Sequence, residues 1–387
     1  MNQKQEQLDF RSKIIRNYSE PAGLYIHFPF CKTKCPYCDF YSVTDTSLID
    51  LWIEALENEM SFYCEDFDIF DSLYLGGGTP SLLNNFQLKK IWDGLMRYFR
   101  FHSDTEVTIE VNPDDITTEK LDTLIATGFN RLSVGVQSFN ESELRFLNRR
   151  HDSAKAIETV IIAKTCGFNN IGIDLMYGFE GQTSESWSNT MKTAIDLKPA
   201  HLSCYQFTLE ETTLFGRLKK EGKLKSITEE EERNLFLMTS KFLRLNNFVH
   251  YEVSNYGKDK DHFSRHNIKY WSHIPYIGLG PGAHSFHNNK RWWNCRSVEN
   301  YCYRLLSGEI PVEGSEKLSV DQLRLERLYL GMRTKWGASI DDIGKDSSTH
   351  FVLSQLKKSG FLKIRDEMVI PTEKGYLIAD RLPLMFA

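Results

Sequence analysis

Leu24-Tyr25-Ile26-His27-Phe28-Pro29-Phe30-Cys31-Lys32-Thr33-Lys34-Cys35-Pro36-Tyr37-Cys38-Asp39-Phe40-Tyr41 is the stretch from which the rest of the chain is read. A short apolar run with strand character leads into three cysteines, Cys31, Cys35 and Cys38, at C-x3-C-x2-C. Three thiolates this close can grip three irons of a cubane [4Fe–4S] cluster, whose usual protein complement is four cysteines. The remaining iron is then open to a small molecule that brings an amine and a carboxylate. Two plainer readings compete. Structural zinc takes four ligands in paired short spacings, and no second pair follows here. Free thiols that serve only packing behave as single small hydrophobes, and three in eight residues is a different pattern.

The spacing resembles the signature of the radical SAM superfamily. There the open iron holds S-adenosylmethionine (SAM), and the reduced cluster cleaves it to a 5′-deoxyadenosyl radical. That resemblance implies a cluster and a SAM site at this loop.

Outward from the loop the chain alternates. Leu24–Phe28, Ser72–Leu75, Glu106–Val111, Arg131–Val136, Ile171–Met176 and His201–Phe207 read as strands. Helical spacing of apolar residues fills the gaps, as at Leu48, Leu51, Trp52, Ala55, Leu56 and Met60. Helices are also predicted near 85–101, 119–128 and 184–197, with Gly128 and Gly167 as stops. Six strand–helix repeats of roughly 30 residues predict a parallel sheet with crossover helices. Six are too few to close an eight-fold barrel. The expected fold is therefore α/β, a partial (β/α)6 barrel. Beyond 208 the alternation breaks into helices near 212–224 and 229–245, a strand at Val249–Val253, and an aromatic, glycine-rich stretch over 256–303. Residues 318–387 read as helix, helix, strand pair and helix, with Asp366-Glu367 as the turn of a small winged-helix-like module.

Bulk properties narrow the function classes. The chain has 387 residues, 41% apolar and 26% charged, with a net charge of −5. That balance leaves no electrostatic footprint for nucleic acid. The N-terminus has no apolar core of a signal peptide, and no run reaches the length of a membrane span. Eight cysteines, three of them clustered, suit a reducing compartment. A cytoplasmic protein is expected. Any membrane contact would be peripheral, through an acceptor.

In a barrel of this kind the C-terminal ends of the strands form the active face. Tyr25 can pack on an adenosyl group or serve as a core tyrosine. Gly76, Gly77 and Gly78 let the backbone approach a ligand and offer N–H groups to a carboxylate, and Thr79 adds a hydroxyl. Glu110 can take an amino group or ribose hydroxyls. Gln137 ends the fourth strand, and Asp174 in the fifth is costly to bury without partners. Arg149 and His151 are read as cations above the same face.

A second constellation runs His266-Asn267-Ile268-Lys269-Tyr270-Trp271, then Tyr276-Ile277-Gly278-Leu279-Gly280-Pro281-Gly282-Ala283-His284. A histidine beside aromatic faces can ligate heme iron axially. The ordinary alternative is a loop histidine packed with its aromatic neighbours.

Taken in order, Tyr-Ile-His-Phe-Pro-Phe-Cys-x3-Cys-x2-Cys, Gly-Gly-Gly-Thr-Pro, Glu-Val-Asn-Pro, Gly-Val-Gln-Ser-Phe and Asp-Leu-Met-Tyr-Gly resemble the HemN/HemW group of radical SAM proteins. These are anaerobic coproporphyrinogen III oxidases and their heme-chaperone relatives. The similarity extends from about residue 22 into the C-terminal domain. It implies a lead-in over 1–21, a radical SAM barrel over 22–210, an extension with the HNxxYW motif over 211–315 and a C-terminal domain over 316–387. It further implies that Cys31, Cys35 and Cys38 hold the cluster. Tyr25, Gly77, Gly78, Thr79, Glu110, Gln137, Arg149 and Asp174 match positions that bind SAM in the group.

Two departures separate the branches. The oxidases carry a further cysteine two residues after the third, where this chain has Asp39-Phe40. They also have a longer segment ahead of the motif than the 30 residues before Cys31 here. His-Asn-Ile-Lys-Tyr-Trp matches the HNxxYW motif of the chaperone branch, which makes His266 a heme-ligand candidate. The resemblance thus implies heme binding and delivery to acceptor hemoproteins, as a monomer or a homodimer. Oxidative decarboxylation of coproporphyrinogen III, or radical chemistry on another tetrapyrrole, is the enzymatic alternative.

Overall fold

Six strands carry the first half of the chain: β1 (Ala22–Phe28), β2 (Phe70–Gly77), β3 (Phe101–Val111), β4 (Arg131–Gln137), β5 (Asn170–Tyr177) and β6 (His201–Gln206). They are seen in a computed structural model that describes residues 20–344 and 346–386; most of the lead-in expected over 1–21 lies outside the described residues. Each strand pairs in parallel with the next in sequence order. The crossovers are helical: α1 (Ile49–Tyr63), α2 (Asn85–Tyr98), α3 (Thr118–Ala126), α4 (Glu141–Phe146), α5 (Ser153–Thr165) and α6 (Ser184–Asp196). This is the partial (β/α)6 barrel that the alternation predicts.

Side chains alternate across these strands with a period of two, and the two faces differ. Leu24, Ile26, Phe28, Leu73, Leu75, Ile109, Leu132, Val134, Ile173 and Leu202 are buried under the helices. The opposite, concave face carries Tyr25, His27, Tyr74, Glu110, Ser133, Asp174 and Ser203, which hydrogen-bond or stack on one another. A parallel sheet buried on both faces would read as nearly unbroken apolar runs. The polar alternate residues therefore mark a face kept for a ligand.

The second helix stops at Tyr98, short of the expected 101, because Phe99 is already extended at φ −125°, ψ 153°. The Phe99 and Phe101 rings both pack on Phe70, at 5.4 and 5.9 Å. Tertiary packing overrides helical propensity at that point.

Beyond residue 208 the chain keeps building the same sheet. Strand β8 (Asn255–Gly257) adds antiparallel to β6, and β7 (Val249–Glu252) pairs antiparallel with β8 at the edge. On the opposite edge β9 (Tyr276–Leu279) joins β1 in parallel, followed by β10 (His284–His287), β11 (Lys290–Asn294) and β12 (Val312–Lys317) as antiparallel neighbours. The sheet has twelve strands in the order β12-β11-β10-β9-β1-β2-β3-β4-β5-β6-β8-β7. The segment expected as an extension over 211–315 thus supplies both edges of the barrel sheet. β7 falls where the sequence predicts a strand, whereas the aromatic, glycine-rich sequence that follows hid β8 to β12, which are short, with Gly280 and Gly282 separating β9 from β10.

To pass from β8 to β9 the chain must cross the barrel. It does so at the N-terminal ends of the strands, through the short helix α7 (Arg265–Trp271). Lys269 Nζ reaches the Pro21 carbonyl at 2.7 Å and Asp71 at 2.5 Å, and the His266 N–H meets Glu106 Oε1 at 3.2 Å. The crossing segment closes that end of the barrel.

The C-terminal region has its own core of Leu328, Met332, Ile343, Leu353, Leu362, Val369 and Leu382, around the antiparallel order β13 (Ala338–Ser339), β15 (Met368–Pro371), β14 (Leu362–Arg365). Asp366 and Glu367 turn the hairpin with φ of 48° and 63°. Where the sequence suggested no basic face, a cavity of about 730 Å³ is lined by Arg244, Lys335, Lys363, Arg365 and Lys374. Several of these are engaged: Arg244 pairs with Glu373, Lys335 lies over Phe263 and Trp336, and Lys374 lies over Phe361. Among the described residues no helix is long and apolar enough to cross a membrane.

Candidate cluster and adenosyl site

The cysteine loop leaves β1 at Phe28 and is pinned at its root. Cys31 N–H bonds the Val43 carbonyl at 2.9 Å, and Val43 N–H bonds Pro29 at 2.8 Å. Gly78 and Thr79 N–H groups reach across to the Phe28 and Phe30 carbonyls at 2.7 and 2.8 Å. The triple glycine therefore serves first to lock the loop's base. A Cβ on Gly78 would lie 2.5 Å from Phe30 O, and Gly77 sits at φ +107° against the His27 ring. Only glycine fits both positions.

Cys31 is buried, while Cys35 and Cys38 are half-buried; all eight cysteines of the chain are free thiols. Thr79 Oγ1 lies 3.5 Å from Cys31 Sγ and Arg149 Nη1 lies 3.4 Å from Cys35 Sγ. Burial pushes the Cys38 thiol up to about 11, with Cys35 and Cys31 adding to the rise. Among the described residues no three histidine, cysteine or carboxylate side chains converge on a single ion position. A cubane does not need such convergence, because each thiolate binds a different iron.

Beside the loop, the concave face supplies a cradle with unspent polar groups. Glu110 accepts from Tyr74 Oη at 2.8 Å and from Gly77 N–H at 3.0 Å. Burial raises its carboxyl to about 7, with Asp174 adding to the rise and those two donors opposing it. Asp174 accepts from Ser133 Oγ at 2.8 Å and is likewise raised by burial. Gln137, at φ 70°, holds a buried Oε1 with no partner, and Arg149 Nε is buried and unpartnered too. Orphaned buried groups of this kind call for an explanation. A zwitterionic, hydroxyl-rich ligand would satisfy them.

The structure brings Tyr25, Gly77, Gly78, Thr79, Glu110, Gln137, Arg149 and Asp174 onto one face at one end of the barrel, with the three cysteines. Tyr25 Oη donates to His27 Nδ1, 3.0 Å away, and His27 Nε2–H donates in turn to the Tyr41 carbonyl at 2.8 Å. His151 differs from expectation. It is buried, bonded to the Val136 carbonyl at 3.0 Å, and burial with the Arg149 charge lowers it to about 4. It is a neutral strut, not a cation.

His266 lies on the same concave face but toward the N-terminal ends of the strands, away from the cysteine loop; its ring stacks on Tyr74 at 5.3 Å and lies 6.2 Å from Tyr25, and it is 1% exposed. Its Nδ1 pairs with Ser72 Oγ at 3.1 Å and its Nε2 with Tyr270 Oη at 2.8 Å. Burial, then the Lys269 charge, lowers it to about 3. Both ring nitrogens are thus in use.

Sequence reasoning passed over Tyr37, Tyr74, Ser133 and Ser203. Tyr37 packs on Phe207 at 6.1 Å and its hydroxyl lies 3.5 Å from Arg149 Nη1. Its place immediately before Cys38 was a usable signal. The two serines are legible only as alternate positions in apolar strands.

The chain is similar to known proteins along most of its length. The model of the radical SAM superfamily matches residues 25–194. The heme chaperone HemW of Bacillus subtilis is 32% identical over 368 residues, covering 92% of this chain and 97% of that protein. The heme chaperone HemW of Escherichia coli is 35% identical over 274 residues, 68% of this chain and 70% of that protein. Among solved structures, the coproporphyrinogen III oxidase HemN from Escherichia coli, a radical SAM enzyme, superposes with a TM-score of 0.81 at 24% identity. That match covers 98% of this chain and 93% of HemN, and at this identity it speaks for the fold.

Proposed function

Because the chain belongs to the radical SAM superfamily and, within it, to the family of the HemW heme chaperones, we propose that it binds heme and delivers it to acceptor hemoproteins. The observation that carries this reading is similarity to HemW proteins along nearly the whole of both chains. Absence of a cysteine two residues after Cys38 accompanies it. Eight free thiols support a cytoplasmic site of action.

Cys31, Cys35 and Cys38 would hold three irons of a [4Fe–4S] cluster, leaving the fourth for SAM. When bound, the pair supplies either one-electron cleavage of the sulfonium or a ligand-sensed switch. The chain's own residues account for the rest. Arg149 would offer its guanidinium to the SAM carboxylate. Thr79 and the Gly77–Gly78 backbone line the same rim. Burial raises both the Glu110 and Asp174 carboxyls, with Asp174 adding to the rise of Glu110, and a cationic amine would favour their ionised forms. Gln137 Oε1 is available to a hydroxyl or ammonium. Tyr25, tethered through His27, offers a ring face to the adenosyl group.

One anaerobic experiment tests the reading. Reconstituted protein is given SAM, reductant, hemin and, separately, coproporphyrinogen III. Stoichiometric heme binding with the porphyrinogen returned intact is expected. Repeated formation of protoporphyrinogen, read by mass spectrometry, would replace the chaperone reading with the oxidase one.

A further inference from the structure

The face that carries the adenosyl cradle does not end at β1. Gly23 pairs with Tyr276 and Tyr276 with Phe286, so the inner face of the barrel runs on into β9, β10 and β11. On that continuation His284 stands opposite Trp293, and Phe286 opposite Arg291. Together with Tyr270, His273, Tyr276 and Glu326 they line an open cavity of about 410 Å³. This volume is at the small end for ligand sites. It can grip one edge of a flat macrocycle and leave the remainder outside, as a protein that must hand its ligand on requires.

Two histidines face this cavity, and they are in different states. His273 Nε2 is bound to Glu326 at 2.8 Å, and Glu326 also takes Arg291 at 2.5 Å. His284 is exposed at the mouth and its ring stacks on Trp293 at 5.8 Å with 26° between the planes. It has no polar partner among the described residues. Burial and then the Arg291 and Arg296 charges lower its pKa below the usual histidine value. The imidazole is therefore neutral at physiological pH, with a lone pair to give. Arg296 packs over the Tyr41 ring at 5.7 Å and has no carboxylate partner among the described residues.

We infer that His284, not His266, is the axial ligand through which this protein takes heme iron, with Trp293, Phe286 and Tyr276 against the macrocycle and Arg296 toward a propionate. The inference rests on the heme-binding reading above and specifies its site. His266 then has a positioning role. Its Nε2 holds Tyr270, whose ring meets Tyr276 edge-on at 4.6 Å inside the same cavity wall. Ligation by His266 itself would cost the hydrogen bond at whichever nitrogen met the iron, and the ring is 1% exposed between Ser72, Tyr74 and Tyr270.

The test titrates hemin into the full-length, cluster-loaded protein and follows the Soret band, with electron paramagnetic resonance of the ferric heme. His284→Ala and His284→Gln are expected to lose roughly tenfold or more in affinity and to change the iron's spin state. The cluster's absorbance should remain, which also certifies folding. Added imidazole should restore the wild-type spectrum in His284→Ala. His266→Ala should weaken binding while keeping the wild-type spin state. An unchanged affinity and spectrum in both His284 variants, with wild type binding heme, overturns the assignment and leaves the chaperone reading standing. Failure of the wild-type protein to bind hemin overturns both.

Discussion

Arg149 ties the cysteine loop to the barrel: Nη1 lies 3.4 Å from Cys35 Sγ while Nη2 donates to the Gly135 carbonyl at 2.6 Å. One guanidinium thus joins the end of β4 to a proposed cluster ligand. A planar fork with five donors can serve sulfur, carbonyl and an incoming carboxylate together; an ammonium cannot.

Arg149→Lys is accordingly expected to keep its iron but lose function at the rim. SAM affinity should fall by about tenfold or more. The cluster potential should drop by on the order of 60 mV, the one-electron equivalent of about 1.4 kcal/mol, because a donor to a cluster sulfur is lost. Anaerobic redox titration monitored by electron paramagnetic resonance reads the shift. An unmoved potential would remove Arg149 from the cluster's hydrogen-bond set.

Gly78→Ala tests the loop's root. The added methyl would sit 2.5 Å from Phe30 O and 2.8 Å from Phe28 O, both backbone atoms that cannot swing aside. Overpacking of this kind costs roughly 1–3 kcal/mol. The strain falls on the hinge that sets Cys31, so iron per chain should fall along with Tm. Gly94→Ala is the control: its Cβ would meet only the flexible Met60 side chain, at 3.3 Å. If the Gly78 variant reconstitutes to full iron, the glycine's role is not to seat the loop.

How much of this was readable beforehand follows the physics of each signal. The cysteine spacing, the six parallel strands and the polar strand ends were legible because they are local. Period-two alternation and glycine stops are written in consecutive residues. The strands β8 to β12 were not legible. Each is short, and glycines interrupt their connections, as with Gly280 and Gly282 between β9 and β10. Their pairing is with strands up to about 250 residues away in sequence. His266 fell between the two cases. Its motif is conspicuous, yet only the crossing of the barrel reveals that both of its nitrogens are spent on Ser72 and Tyr270. His151 failed for the same reason: a histidine beside two arginines reads as a cation until the Val136 carbonyl and burial are seen.

Glu110→Gln should stabilise the ligand-free protein in a pH-dependent way. Burial raises the carboxyl to about 7 from 4.5 in the unfolded chain. Between those values the folded state binds more protons than the unfolded one, so stability falls as pH rises from about 4.5 to 7. The amide is uncharged throughout and escapes that loss. The variant should gain on the order of 1–3 kcal/mol over wild type at pH 8 and nothing at pH 4.5. Its SAM affinity should drop, since the carboxylate no longer meets an ammonium. Denaturant melts of apo-protein at the two pH values decide it, and a pH-independent difference would refute the buried-carboxyl account.

His266→Gln gives the opposite sign. The folded imidazole titrates at about 3, against 6.5 when unfolded, chiefly because it is buried. A depressed base contributes stability that is present above pH 6.5 and lost progressively as pH falls toward 3. At pH 8 the variant disturbs the pairs with Ser72 and Tyr270 and should be about 1–3 kcal/mol less stable than wild type. At pH 5 wild type has surrendered part of that advantage to the protonated unfolded chain, and the gap should narrow by on the order of 2 kcal/mol. His27, His201 and His250 are buried and lowered in the same way, so an acid limb persists in both wild type and variant. Only its slope should differ, by up to one proton. If the two slopes coincide, the His266 ring is reachable by water, and the argument that it is too enclosed to take heme iron fails with it.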